Sequence, residues 1–187
     1  MIASMRTITY EELKGLIGKD DRIAIWSCDT CAKACHGFGG EESLRDLASC
    51  LRADGFDVRK EELMVASCYY DGIRTRKERW IASGEYDSID IIIPLACQEA
   101  RAAMTQLFPD KRIIDNSRTA GLGVLDENGV CILTDPFEWT GLDASDEGID
   151  LQSAARKLGL FTGPFSTDFA GADNVHATAT KGTSTAR

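Results

Sequence analysis

The run Ser88-Ile89-Asp90-Ile91-Ile92-Ile93-Pro94-Leu95-Ala96 constrains this chain more than any other segment. Its isoleucines are β-branched and closely spaced, which suits a strand buried on both faces of a sheet. Such a strand needs helices above and below it, and the flanking sequence supplies them. Arg22-Ile23-Ala24-Ile25-Trp26-Ser27 reads as a first strand, Phe56 to Lys60 with Leu63 to Ala66 as a second, and Arg112 to Asp115 as a short later one. Between them, Glu41 to Arg52 places Leu44, Leu47, Ala48 and Leu51 on one helical face, with acidic residues in the first turn and Gly55 as a stop. Residues 73–81 and 98–107 are also helical in pattern, and Thr7 to Ile17 reads as a short capped helix. The alternation predicts the α/β class: an open, mostly parallel sheet of Rossmann or flavodoxin-like type, helices on both faces and right-handed crossovers.

After Asn116 the pattern changes. Gly121 to Leu125 and Glu127 to Leu133 suggest short strands about a turn, and Leu151 to Leu158 a last helix ending at Gly159. At 187 residues, one well-buried domain is expected, a metal-binding α/β unit over residues 1–164. Residues 165–187 are small, polar and aperiodic, and are expected to form a flexible tail.

Function classes narrow by charge and cysteine usage. With 21 basic and 30 acidic side chains the net charge is −9, which opposes binding to nucleic acid. No apolar run approaches the roughly 20 residues that cross a bilayer, so no membrane insertion is expected. Seven cysteines stand beside only two histidines. An odd number, with no signal segment in Met1 to Arg6, points to reduced thiols in a cytoplasmic protein rather than a secreted disulfide scaffold.

The thiols fall where a parallel sheet collects ligands. Cys28, Cys31 and Cys35 follow the first strand, Cys68 the second and Cys97 the isoleucine-rich one, so all five should converge on the edge formed by the strands' carboxyl ends. Cys50, within a helix, and Cys131, within a strand, read as packed residues. The spacing of Cys28, Cys31 and Cys35 would also suit one buried face of a continuous helix, but Lys33, His36 and the following glycines interrupt any apolar stripe. Thiolate ligands select a soft centre, either a four-iron iron–sulfur cluster or zinc, and ligand number does not separate them. One C-x2-C-x3-C group with distant single cysteines favours the cluster. Cys28, Cys35, Cys68 and Cys97 are the preferred ligands, with Cys31 as the spare.

Two other readings compete. Cys28-Asp29-Thr30-Cys31 could be a dithiol redox motif, which would leave Cys35, Cys68 and Cys97 unexplained. Gly37-Phe38-Gly39-Gly40 before a helix could cradle phosphate, but the dinucleotide pattern fails at Glu42, and Glu41 and Glu42 would repel an anion. The glycines instead suggest room for backbone to pass close to a bulky centre. His36 and His176 receive no role.

Cys28-Asp29-Thr30-Cys31-Ala32-Lys33-Ala34-Cys35, followed by Gly39-Gly40-Glu41 and the helix ending at Gly55, resembles the methylenetetrahydrofolate reductase C-terminal domain family. Leu95-Ala96-Cys97 and Asp115-Asn116-Ser117-Arg118-Thr119-Ala120-Gly121-Leu122-Gly123 are similar to its later blocks, so the likeness spans roughly residues 7–135. The resemblance implies the small cysteine-rich subunit that accompanies a flavin-containing catalytic subunit in anaerobic methylenetetrahydrofolate reductases. Such a subunit is expected to carry metal, to pass electrons or support a complex that can include other redox subunits, and not to bind the folate. Longer members add a further cysteine-rich block, whereas no cysteine follows Cys131 here, so a second centre is not expected.

Overall fold

The computed structural model describes residues 1–170. Two sheets organise them. The parallel one contains β2 (Arg22–Cys28), β3 (Asp57–Met64), β4 (Ile91–Leu95) and β5 (Arg112–Ile113), in the order β3-β2-β4-β5. Every residue of β4 is buried, as its apolar run requires for a strand covered on both faces. The connections are α3 (Glu41–Ala53), α4 (Tyr70–Ala82) and α5 (Gln98–Leu107). The chain leaves β2 sideways to β3 and then crosses back over β2 to β4. Right-handed crossovers in opposite directions place α3 on one face and α4 and α5 on the other.

Side-chain packing agrees with that division. Leu44, Leu47, Ala48 and Leu51 of α3 are buried, and α3 packs on β2 and β3. On the opposite face, the Trp26 ring lies 5.5 Å from that of Trp80 of α4 and 6.1 Å from that of Phe108, just after α5. These tilted and edge-on contacts form the aromatic centre of the core. Alternation along β2 puts Cys28 on the same face as Trp26.

The second sheet is antiparallel and corrects the expectation of one open, mostly parallel sheet. It contains β1 (Ile2–Arg6), β6 (Ser117–Leu125), β7 (Cys131–Pro136) and β8 (Ile149–Asp150), in the order β1-β6-β7-β8. The class is therefore mixed α/β. β6 and β7 are the expected glycine-rich hairpin, while β1 was not anticipated, because its buried residues include Ser4 and Arg6 and so lack an apolar alternation. The sheet meets the parallel layer through α2 (Cys31–Ala34), which packs on β1, and through α5, which packs on β6. Between β1 and β2, α1 (Tyr10–Gly15) starts with a capping box: Thr9 Oγ1 accepts from the Glu12 N–H at 3.2 Å, and the Glu12 carboxylate accepts from the Thr9 N–H at 2.7 Å.

After α6 (Leu151–Leu158), the chain returns to β1 and ends its described part in α7 (Thr167–Ala170). The expected tail boundary at residue 165 is too early. Phe165 is buried, and the fully buried Arg6 binds the Asp168 carboxylate through two hydrogen bonds, of 2.7 and 3.0 Å. Arg6 also donates to the Gly163 carbonyl at 2.9 Å and lies 4.5 Å from the Phe165 ring centroid. The rest of the expected tail, residues 171–187, lies outside the described residues.

Candidate metal centre

Cys28 closes β2, beside Met64 in register, with Ser27 opposite Leu95 on β4. The strand ends are stitched together just beyond. The Asp29 N–H donates to the Met64 carbonyl at 2.9 Å, Thr30 Oγ1 donates to the Val65 carbonyl, and Cys28 Sγ lies 3.7 Å from the same oxygen. Trp26 Nε1 donates to Ser67 Oγ at 3.1 Å, and both residues are fully buried. Ser67 therefore anchors the loop whose next residue, Cys68, is exposed.

Cys97 is the residue before α5, directly after β4, and is buried. Burial, reinforced by the neighbouring Glu99, pushes its thiol up to about 12. The Cys68 thiol is raised by partial burial and by the nearby Cys28 and Cys31, and Cys97 in turn feels Cys68. The ends of β2, β3 and β4 thus bring Cys28, Cys31, Cys68 and Cys97 to one edge, at the point from which the crossovers depart in opposite directions.

Among the described residues, no three His, Cys, Asp or Glu side chains close on a common point that would hold an ion. The edge is a gathering of thiols rather than a preformed cage. Its donor chemistry fits a soft centre in that four sulfurs share the edge, and a cation bound there would have to displace the protons that burial holds on Cys68 and Cys97.

Cys35 feels Cys31 but is turned to other partners than the strand-end thiols. α2 makes a single turn, and the chain leaves it with Cys35 turned towards the antiparallel sheet. There its Sγ accepts from the Ser4 N–H at 3.3 Å, lies 3.6 Å from the Ile2 carbonyl, and is within hydrogen-bonding reach of Cys131. The mutual contact and burial hold the Cys35 thiol well above the ordinary range, while the same contact lowers Cys131. Gly123 lies close by: a Cβ there would run into the Ile132 carbonyl oxygen and stand 3.0 Å from Cys131 Sγ. Cys50 sits half-buried on α3, away from the edge.

In the glycine loop, Gly39 lies against the protein's own backbone. A Cβ on Gly39 would lie 2.6 Å from the Cys28 carbonyl oxygen and 2.8 Å from that of Leu95, so backbone packs directly onto the ends of β2 and β4. His36 lies 3.6 Å from Asp150, too far for a hydrogen bond, and His176 lies outside the described residues. Sequence reasoning missed the supporting residues Ser67, Thr30 and Glu99. Only the adjacency of Ser67 to Cys68 and of Thr30 to Cys31 hinted at them. No family model matches the chain, and neither a curated protein nor a solved structure matches it.

Proposed function

We propose that this chain is the metal-carrying accessory subunit of a methylenetetrahydrofolate-reductase-type complex. It holds an iron–sulfur centre on Cys28, Cys31, Cys68 and Cys97 and relays electrons to or from a flavin-containing catalytic partner in the cytoplasm. The observation that carries the reading is the meeting of thiols from the ends of three adjacent parallel strands, far apart in sequence. The strand order of the parallel sheet supports a flavodoxin-like reading of that half of the molecule. Bound there, a four-iron cluster supplies one-electron transfer, whereas zinc supplies cross-linking alone.

The chain's own residues hold the edge and present it. Trp26 and Ser67 fix the approach of the Cys68 loop, and Thr30 ties the Cys31 turn to the end of β3. Beside Cys68, Val65, Tyr69 and Tyr70 are 73%, 60% and 44% exposed. This apolar collar suits a protein partner that must come close to the thiols.

Anaerobic purification followed by iron, zinc and acid-labile sulfide analysis tests the proposal. Iron and sulfide in equal amounts, with an electron paramagnetic resonance signal on reduction, are expected. Zinc without sulfide would replace the relay with a structural zinc subunit. A metal-free protein with a Cys28–Cys31 disulfide would favour dithiol chemistry.

A further inference from the structure

A cavity of about 740 Å³ opens between the two sheets, where α5, the end of β5 and the start of β6 meet. It is lined by three guanidinium side chains, Arg101, Arg112 and Arg118, in a chain whose net charge is −9. Arg112 is held by Asp21 at 2.6 Å, and Arg101, only 18% exposed, by the Asp115 carboxylate, which is 71% exposed. Arg118 has no carboxylate partner among the described residues and stacks 3.6 Å over the Trp139 ring. A second observation is independent of the charges. Ser117 lines the cavity, is 1% exposed, and its hydroxyl has no partner among the described residues. The same holds for Arg101 Nε and for both amide atoms of Asn116, which is fully buried between Asp115 and Ser117. Buried polar groups of this kind are rarely left unpaired in a folded protein, and two of the residues that carry them, Arg101 and Ser117, line this cavity.

We propose that this cavity binds a small molecule through an oxyanion group, a carboxylate or a phosphate. The ligand takes Arg101 over from Asp115, uses Arg118 as its second cation and accepts from the Ser117 hydroxyl. Guanidinium groups pair with such anions through two parallel hydrogen bonds, and the volume suits a small organic ligand. Asp115 then acts as a resident anion that the ligand displaces. The cavity borders the cysteine edge through Gln98, the residue after Cys97, but uses none of the thiols and stands without the electron-relay reading.

The test is calorimetric titration of the full, anaerobically purified chain with inorganic phosphate and with malonate, at matched ionic strength, with indole fluorescence reporting on Trp139. Saturable binding of either probe is expected, weakened about tenfold or more by Arg101→Gln and by Arg118→Gln, and strengthened by Asp115→Asn. Phosphate alone would identify a phosphate ester as the ligand class, and malonate alone a carboxylate. Absence of saturable binding of both probes overturns the proposal, as does binding that Arg118→Gln and Asp115→Asn leave unchanged. These two residues carry exposed side chains, so their variants remain informative if Arg101→Gln does not fold. Unaltered metal content in all three variants separates this test from that of the cysteine edge.

Discussion

Trp26 and Ser67 are joined by a buried hydrogen bond of 3.1 Å that links the strand delivering Cys28 to the loop delivering Cys68. Ser67→Ala leaves the indole N–H buried without a partner, at a cost of about 1–3 kcal/mol. A chain of this size should lose about 2–4 °C in melting temperature per kcal/mol. Cys68 should also be alkylated faster in the metal-free variant, and an unchanged rate would show that other contacts hold the loop.

Replacement of single cysteines by serine should divide them into two groups. Cys28→Ser, Cys31→Ser, Cys68→Ser and Cys97→Ser are expected to lower metal content sharply. Cys35→Ser, Cys131→Ser and Cys50→Ser should leave it nearly intact, because the first two pair with each other where the end of α2 meets the antiparallel sheet and the third lies on α3. Metal lost from Cys35→Ser but retained in Cys31→Ser would reverse the assignment of the two.

The Arg6–Asp168 pair is the strongest test of the C-terminal boundary. Asp168 receives two hydrogen bonds from Arg6 and one of 2.8 Å from the Tyr10 N–H. Asp168→Asn keeps the shape but leaves a buried guanidinium without its counter-charge, which should cost about 3 kcal/mol in urea denaturation. Adding Arg6→Met should recover part of that loss, and a loss from Asp168→Asn well below 1 kcal/mol would count against the pair.

Acid should weaken the fold through carboxylates held by cations. Asp90 accepts from Arg22 Nη2 at 2.7 Å, from Nε at 2.8 Å and from the Arg22 backbone N–H at 2.9 Å, contacts that hold its carboxyl well below the usual range. Lys14 and Tyr10 lower Asp54 in the same way. A carboxyl whose folded pKa is depressed stabilises the fold above its unfolded value of about 3.9, and that contribution fades as the pH falls towards the folded value. The stability difference between the protein and Asp90→Asn should therefore be full above about pH 5 and shrink below about pH 4. A difference that does not vary with pH would assign the effect to packing.

The parallel half was legible because its signals are local. β4 is uniformly apolar, α3 carries its leucines on one face, and the cysteines follow the strands directly. β1 was not legible, since Arg6 is an inward-facing residue only because Asp168, Gly163 and Ile8 satisfy it. The choice between Cys31 and Cys35 was equally hidden. It depends on α2 ending after one turn, with His36 at a φ of 54° redirecting the chain, and neither residue type announces that bend. The glycines pointed to a close approach, but not to the neighbour, which is the backbone of the strands themselves.

The contact between Arg6 and a carboxylate 162 positions away also sets an order of events in synthesis. β1 is made first and paired last: its partner β6 begins at Ser117, and the counter-charge for Arg6 arrives only with α7. The parallel strands all lie within residues 22–113 and can associate while the N-terminal strand still waits. Completion of the antiparallel sheet is then a late, long-range closure, slow for the same reason that distant pairings are slow in general. A nascent chain stopped short of Asp168 would carry the cysteine edge without the clasp that joins β1 to α7.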